Sequence, residues 1–207
     1  MKYLETRKEL VYISRMVQAK GYTQASGGNL SCRVRGTDLF AIKKTAVNMS
    51  EMTEADVLIV DQDGTVVDGE GKPSKEVNFH LGIMKIRRDV NAVVHCHPNF
   101  SIAFANCELE LPHTTVTSKK NVGRIPWVET APPGSEELKN NVLEAFMEYP
   151  DIKGILMKEH GICTVGSTLL EAYNRADIIE QTAKQAYLVM EISKNRDFFA
   201  ADKGDEI

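Results

Sequence analysis

The chain has 207 residues, 43% of them hydrophobic, enough to bury one core, so a single domain over 1–207 is expected. A formal net charge of −4 argues against a nucleic-acid-binding protein, which needs a basic excess or stripe. No apolar run is long enough to span a bilayer, and Glu5 and Glu9 interrupt the opening segment where a secretory leader would be apolar, so a cytoplasmic location is expected.

Residues 4 to 20 read as an amphipathic helix, with Leu10, Ile13, Met16 and Val17 at helical spacing and Gly21 as the stop. A small, polar stretch from Thr23 to Asn29 follows. Leu30, Cys32 and Val34 then mark one face of a strand, residues 35 to 38 a turn, and Leu39 to Ile42 the returning strand. Thr53 can cap a short helical turn before the buried strand Val57 to Val60, and Asp63-Gly64 turns the chain into Thr65 to Val67. Ser74 is placed to cap a helix running to about Arg87. Ala92 to His97 is a strand ended by Pro98, and Phe100 to Ala105 is a short helix. The segment from Leu111 to Val128 reads as strands joined by a basic turn. Ser135 caps a helix from Glu136 to Tyr149, and Gly154 to Met157 is a strand leading into Glu159-His160-Gly161. The last long helix runs from about Thr168 to Lys194, and a polar tail begins at about 196. Hairpins in the first half imply a largely antiparallel sheet, and the helices can cover its faces in a layered α/β arrangement.

The pattern His95-Cys96-His97 carries the strongest chemical signal. Side chains at i and i+2 of a strand share a face, so two imidazoles can converge on one ion. Catalytic zinc takes three protein ligands and keeps one position open. His160, at the end of a strand and followed by a glycine, is the best third ligand. The alternative is a set of ordinary, partly buried histidines. Cys96 faces the other way, into the core that free cysteines favour. With Cys32, Cys107 and Cys163 it belongs to no CxxC pair, and all four read as free thiols.

Glu76 sits at the start of the helix that leads to the HxH strand. It is either a carboxylate favoured by the helix dipole or a general base beside a metal-bound substrate. His80, one turn later, could be a fourth ligand, although packing in the core suits it better. His113 is assigned to a loop without a role. Ser26-Gly27-Gly28-Asn29-Leu30-Ser31 offers exposed backbone N–H groups and polar side chains, the makings of an anion cradle as well as of an ordinary turn. Thr45 and Ser74-Lys75 could complete a phosphate site. Lysine opposes the helix dipole at position 75: it is either a tolerated surface lysine or the partner of an anionic group of the substrate, a phosphate or a carboxylate.

Taken together, these segments resemble the class II aldolase/adducin family from the first helix to about residue 190. The matching motifs are Ser-Gly-Gly-Asn-Leu-Ser at 26–31, Lys-Thr-Ala at 44–46, Pro-Ser-Lys-Glu at 73–76, Val-Val-His-Cys-His at 93–97 and Glu-His-Gly at 159–161. The resemblance implies a three-layer αβα fold with a central, largely antiparallel sheet, and a homotetramer with active sites between subunits. It implies one Zn2+ per subunit on His95, His97 and His160, with Glu76 as acid/base. Gly28, Asn29, Thr45 and Ser74, joined by Lys75, would hold phosphate and substrate oxygens. The implied reaction is retro-aldol cleavage of a phosphorylated sugar, as in L-fuculose-phosphate aldolase.

Some residues depart from that pattern. The tyrosines used by the fuculose aldolase have no counterparts in Thr114 to Ser118 or after Tyr187, so the second acid/base is not identified. Ala46 stands where the aldolases carry glycine, which would reshape the phosphate site. Lys75 stands where they more often carry serine, and Pro-Ser-Lys-Glu is similar to the branch that decarboxylates 3-oxo-tetronate 4-phosphates. That decarboxylation is the alternative function. A sugar-phosphate 4-epimerase fits less well, because Ser118, Lys119 and Lys120 stand where its loop is acidic. A non-catalytic, adducin-like scaffold would have lost metal ligands, and all three histidines are present.

Overall fold

Antiparallel pairing builds most of the sheet, as the short turns and alternating side chains of the first half dictate. The computed structural model describes residues 1–195, so the polar tail from about 196 lies outside the described residues. Helix α1 (Leu4–Ala19) is followed by β1 (Asn29–Arg33), β2 (Phe40–Lys43), β3 (Val57–Val60) and β4 (Val66–Asp68). Then come α2 (Val77–Ile86), β5 (Ala92–Cys96), α3 (Asn99–Asn106), α4 (Val116–Asn121), β6 (Trp127–Val128), α5 (Glu136–Glu148), β7 (Gly154–Met157), β8 (Gly161–Gly166) and α6 (Leu169–Lys194).

The strand order is β4-β3-β2-β1-β5-β8-β7-β6, and every pair is antiparallel except β6 with β7. Alternation along each central strand divides the apolar residues between two cores. Leu30, Val94 and Cys96 join Leu10 and Val17 of α1, Ala105 of α3 and Ala176 and Ile179 of α6. Val93, Ile155 and Val165 join Phe79 and Ile83 of α2 and Val142 and Phe146 of α5 on the opposite face. The result is three layers, αβα, as expected. Cys96 is fully buried in the first core, and burial pushes its thiol well up, so it is inert packing.

Three elements differ from the sequence reading. The segment 111–128 is not a pair of strands. Thr115 accepts the N–H of Ser118 through its side chain and starts α4, and only Trp127–Val128 pairs, parallel to β7. The local side-chain cap outweighs the β preference of the threonines. The second difference is β8, which the motif at 159–161 hid; it returns antiparallel to both β7 and β5. Third, Ser74 does not cap α2. Glu76 occupies that position, and Ser74 makes a tight turn just before it, its Oγ accepting the Glu76 N–H at 3.3 Å. By contrast, Ser135 and Thr168 cap their helices with their side chains, and the Thr53 N–H donates to the Asp56 carboxylate across the short helical turn before β3.

Arg7 ties α1 to the far half of the sheet. Its guanidinium, 1% exposed, donates to the carbonyls of Lys2, Glu54 and Val57 and pairs with the Asp68 carboxylate. Removing the guanidinium leaves buried acceptors and a partly buried carboxylate without a partner. Arg7→Leu is expected to lower stability by about 3 kcal/mol, read as a fall in the urea midpoint at unchanged slope.

Candidate metal centre

Strand β5 runs between β1 and β8 at the centre of the sheet, and its period of two decides where the histidines go. Val93 packs toward α2, so His95 and then His97, just past the strand end, follow on that side. His160 closes the tight turn between β7 and β8, its N–H bonded to Met157 O at 3.1 Å. The three residues each offer a ligand atom, and all these atoms lie within 4.8 Å of one another.

The glycine after His160 does not make the left-handed turn at the site. The left-handed residue is Glu159, at φ 55°, with its N–H held by the Asn106 side chain at 2.6 Å. Gly161 is needed for space, because a Cβ there would collide with Cys96 O. Gly28 combines both demands: its φ is +68°, and a Cβ would meet His95 O at 2.9 Å.

His95 has no exposed surface. Its Nδ1 lies 2.9 Å from Ile162 O, and as a donor to that carbonyl it leaves Nε2 as a bare lone pair. That Nε2 is 3.0 Å from His97 Nε2 and 3.3 Å from Glu76 Oε2. The other carboxylate oxygen, Oε1, is 3.2 Å from His160 Nε2. Burial first, and then the neighbouring rings, push His97 down to about 3, and burial lowers His95 as well, so both rings are neutral. Burial opposes the charge on Glu76, the hydrogen bond from the Asn29 amide favours it, and the balance holds the carboxylate below its usual range.

Neutral imidazole lone pairs that face one another beside a buried carboxylate repel unless a cation lies among them. Glu76 Oε1 and His160 Nδ1 are also buried without a hydrogen-bond partner. Both observations fit a divalent metal ion, and the donor set of three imidazoles, backed by a carbonyl at His95, is a normal metal shell. His80 does not join it. It is fully buried, stacked on Phe79, with Nδ1 2.7 Å from the Ser31 hydroxyl. His113 lies in a loop, its Nδ1 3.2 Å from the Ser118 hydroxyl.

The expected phosphate residues divide into two groups. Asn29 donates to Glu76 Oε2 at 2.7 Å, and Ser74 and Gly28 adjoin the same carboxylate and histidine. Thr45 joins the segment just before Ser74 through its N–H to Lys72 O at 3.0 Å. Ala46 keeps φ 59°, the left-handed backbone that glycine adopts without strain, so the loop retains that path and gains one methyl group. The Lys75 side chain is exposed.

Two residues near the site were not singled out in the sequence. Glu180 of α6, 6% exposed, accepts from the N–H groups of Phe100 and Ser101 and from the Ser101 hydroxyl. It caps α3, whose own N-cap is Pro98, directly after His97. Lys43, 2% exposed, donates to Ser26 O at 3.1 Å, and burial pushes its ammonium down to about 8. Neither carries a local signal, because both act across the fold.

A layered sheet with three histidines and an ionised carboxylate at one end defines a metal-capable site on an αβα scaffold. The sequence matches the family described as Class II Aldolase and Adducin N-terminal domain over residues 8–187, and the chain belongs to it. It is 33% identical over 181 residues to an L-fuculose phosphate aldolase of Methanococcus maripaludis, covering 87% of this chain and 96% of that protein. It is 28% identical over 190 residues to a 3-oxo-tetronate 4-phosphate decarboxylase of Haemophilus influenzae, covering 87% of this chain and 86% of that one. A solved L-fuculose 1-phosphate aldolase superposes with a TM-score of 0.85 at 27% identity, over 93% of this chain and 91% of the other. Among the described residues no helix is long and apolar enough to cross a membrane.

Replacing the cap on α3 gives a direct test of how the strand exit is held. Glu180→Ala leaves two N–H groups and a hydroxyl without their acceptor, and a loss of about 2 kcal/mol is expected from denaturant unfolding.

Proposed function

We propose that this chain is a zinc-dependent lyase that breaks a carbon–carbon bond of a phosphorylated sugar by retro-aldol chemistry. The observation that carries the reading is the convergence of His95, His97 and His160 beside the buried carboxylate of Glu76. Three imidazoles suit zinc and leave coordination room for a substrate. Bound zinc would supply Lewis-acid polarisation of substrate oxygens.

The chain's own residues do the rest. Glu76 carries the proton at the reacting carbon, removing it in the direction of bond formation and returning it in cleavage. Asn29 orients that carboxylate through its 2.7 Å hydrogen bond. Gly28, Asn29, Thr45, Ser74 and Lys75 bind phosphate and substrate oxygens. Burial of the centre excludes water from the carboxylate. The exposed apolar residues Leu188, Val189, Met190 and Ile192 near the end of α6 support a subunit interface, in a homotetramer with sites between subunits.

The second reading is decarboxylation of a phosphorylated oxo acid such as 3-oxo-tetronate 4-phosphate. It is favoured by the relative of that name and uses the same metal and carboxylate. Product analysis after incubating the zinc-loaded protein with phosphorylated ketoses and oxo acids separates the two. Aldehyde and ketone fragments indicate aldol cleavage, and carbon dioxide release indicates decarboxylation.

Chelation is expected to abolish turnover and zinc to restore it. His97→Ala should lose the ion by elemental analysis, and full occupancy of a triple alanine variant at 95, 97 and 160 would refute the ligand set. Glu76→Gln keeps the shape and removes the base. Its turnover should fall by about two to four orders of magnitude while zinc is retained; near-normal turnover would exclude the role.

A further inference from the structure

Metal-binding imidazoles are ordinarily held by a hydrogen bond at the nitrogen that faces away from the ion. His95 has such a bond, from Nδ1 to Ile162 O at 2.9 Å. His160 does not: among the described residues its Nδ1 is buried without a partner. The polar contact of the His97 ring runs from Nε2 toward His95, on the side of the site itself. The positions of these two rings therefore come from their backbones. His97 N–H donates to Tyr22 O at 2.7 Å, which fixes one atom and leaves the direction of the chain beyond it open. One short helix reaches both residues. Helix α3 starts at Asn99, two residues after His97, and the side chain of its last residue, Asn106, accepts the Glu159 N–H at 2.6 Å, directly before His160.

Each end of α3 is held from outside its own turn of chain. At the start, Pro98 occupies the cap position and has no side-chain oxygen to offer. The N–H groups of Phe100 and Ser101 go instead to the two carboxylate oxygens of Glu180 at 3.1 and 2.9 Å, and the Ser101 hydroxyl adds a third bond at 2.7 Å. A local serine would satisfy one of these donors without burying a charge. A cap built into the same segment moves with its helix, whereas this one ties α3 to α6, and the use of both oxygens fixes its rotation as well as its place. At the far end Glu159 adopts the left-handed φ of 55°, which an L residue resists. The bond from its N–H to Asn106 opposes relaxation of that turn, and relaxation would carry His160 with it. Between the two ends Ser101 and Ala105 are fully buried, so the helix is packed along its length.

We propose that α3 is a strut that sets the separation of His97 and His160, with Glu180 and Asn106 as positioning residues for the metal site. This rests on the reading of the three histidines as metal ligands. Neither positioning residue touches the ion; each acts through the backbone beside a ligand. Because one helix joins both ligands, the two residues act as a unit. Once either end is free the strut transmits nothing, and freeing the other end costs little more.

The test measures zinc affinity of the full chain by competition with a chelator, and the visible absorption of bound Co2+ as a signature of ligand geometry. Glu180→Ala and Asn106→Ala should each raise the zinc dissociation constant about ten- to hundredfold and shift the cobalt bands. The double variant should bind about as well as the weaker single one. Asn106→Asp keeps the acceptor for Glu159 N–H and should restore wild-type affinity and spectrum. Arg7→Leu is the control, because it lowers stability far from the histidines and should leave zinc affinity unchanged. Wild-type affinity and an unmoved cobalt spectrum in both alanine variants would overturn the proposal and leave α3 as packing alone. Additive losses in the double variant would overturn the shared strut, and an equal loss in Arg7→Leu would reduce the effect to general loosening. If Glu180→Ala does not fold, Glu180→Gln, which keeps the shape and one acceptor oxygen, replaces it in the same comparison with Asn106→Ala. A wild-type protein that binds neither zinc nor cobalt would refute the ligand set itself. Wild-type binding with unchanged variants refutes only the strut.

Discussion

The site depends on one constraint: alternate side chains of β5 face opposite layers, and β5 lies between β1 and β8. That alternation sends Cys96 into the core with α1 and α6 and sends His95 and His97 toward α2. The neighbour on one side, β1, supplies Asn29 opposite His95. The neighbour on the other side, β8, supplies the Ile162 carbonyl that fixes the His95 tautomer, and the turn leading into it supplies His160. A slip of one residue in either pairing would replace these polar groups with the apolar side chains that alternate with them.

The electrostatics follow from burial. A carboxylate, three imidazoles and an ammonium lie in a region with little exposed surface. In such surroundings each charge is tolerable only because another group answers it. Asn29 answers Glu76 with its hydrogen bond, and a cation held by the three imidazoles would complete the compensation. Glu180 has a similar role in the neighbouring helical layer, where its charge meets the positive end of α3. The structure thus pins both ends of the short stretch containing His97, by backbone pairing before it and by a carboxylate after it.

Much of this was legible in the chain. Period two placed His95 and His97 on one face, and the strand ending before Glu159 brought His160 into range. The helix running from Glu76 toward the HxH strand made that carboxylate a candidate. What could not be read depends on partners distant in sequence. Lys43 looks like any strand lysine until Ser26 and Ser74 fold against it, and Glu180 looks like a surface residue of a long helix until α3 docks. The error at 111–128 has a local cause. Threonines at 114, 115 and 117 favour extended backbone in isolation, while the hydrogen bond from Ser118 N–H to Thr115 favours a helical turn. Strand β8 is hidden in the sequence because Glu159-His160-Gly161 reads as the end of an element, whereas it is the turn of a hairpin.

The hydrogen bond between His95 and Ile162 joins residues 67 positions apart, and the one between Asn29 and Glu76 spans 47. A ribosome must therefore release β1, β5 and β8 before the ligands can meet, and His160 emerges long after His97. During synthesis the early histidines are exposed without their third partner. Long-range strand pairing is slow to form, because loop closure precedes the contacts that reward it. An ion that needs all three rings would select chains in which β8 has already docked, so metal capture would report on completion of the sheet and stabilise it at that moment.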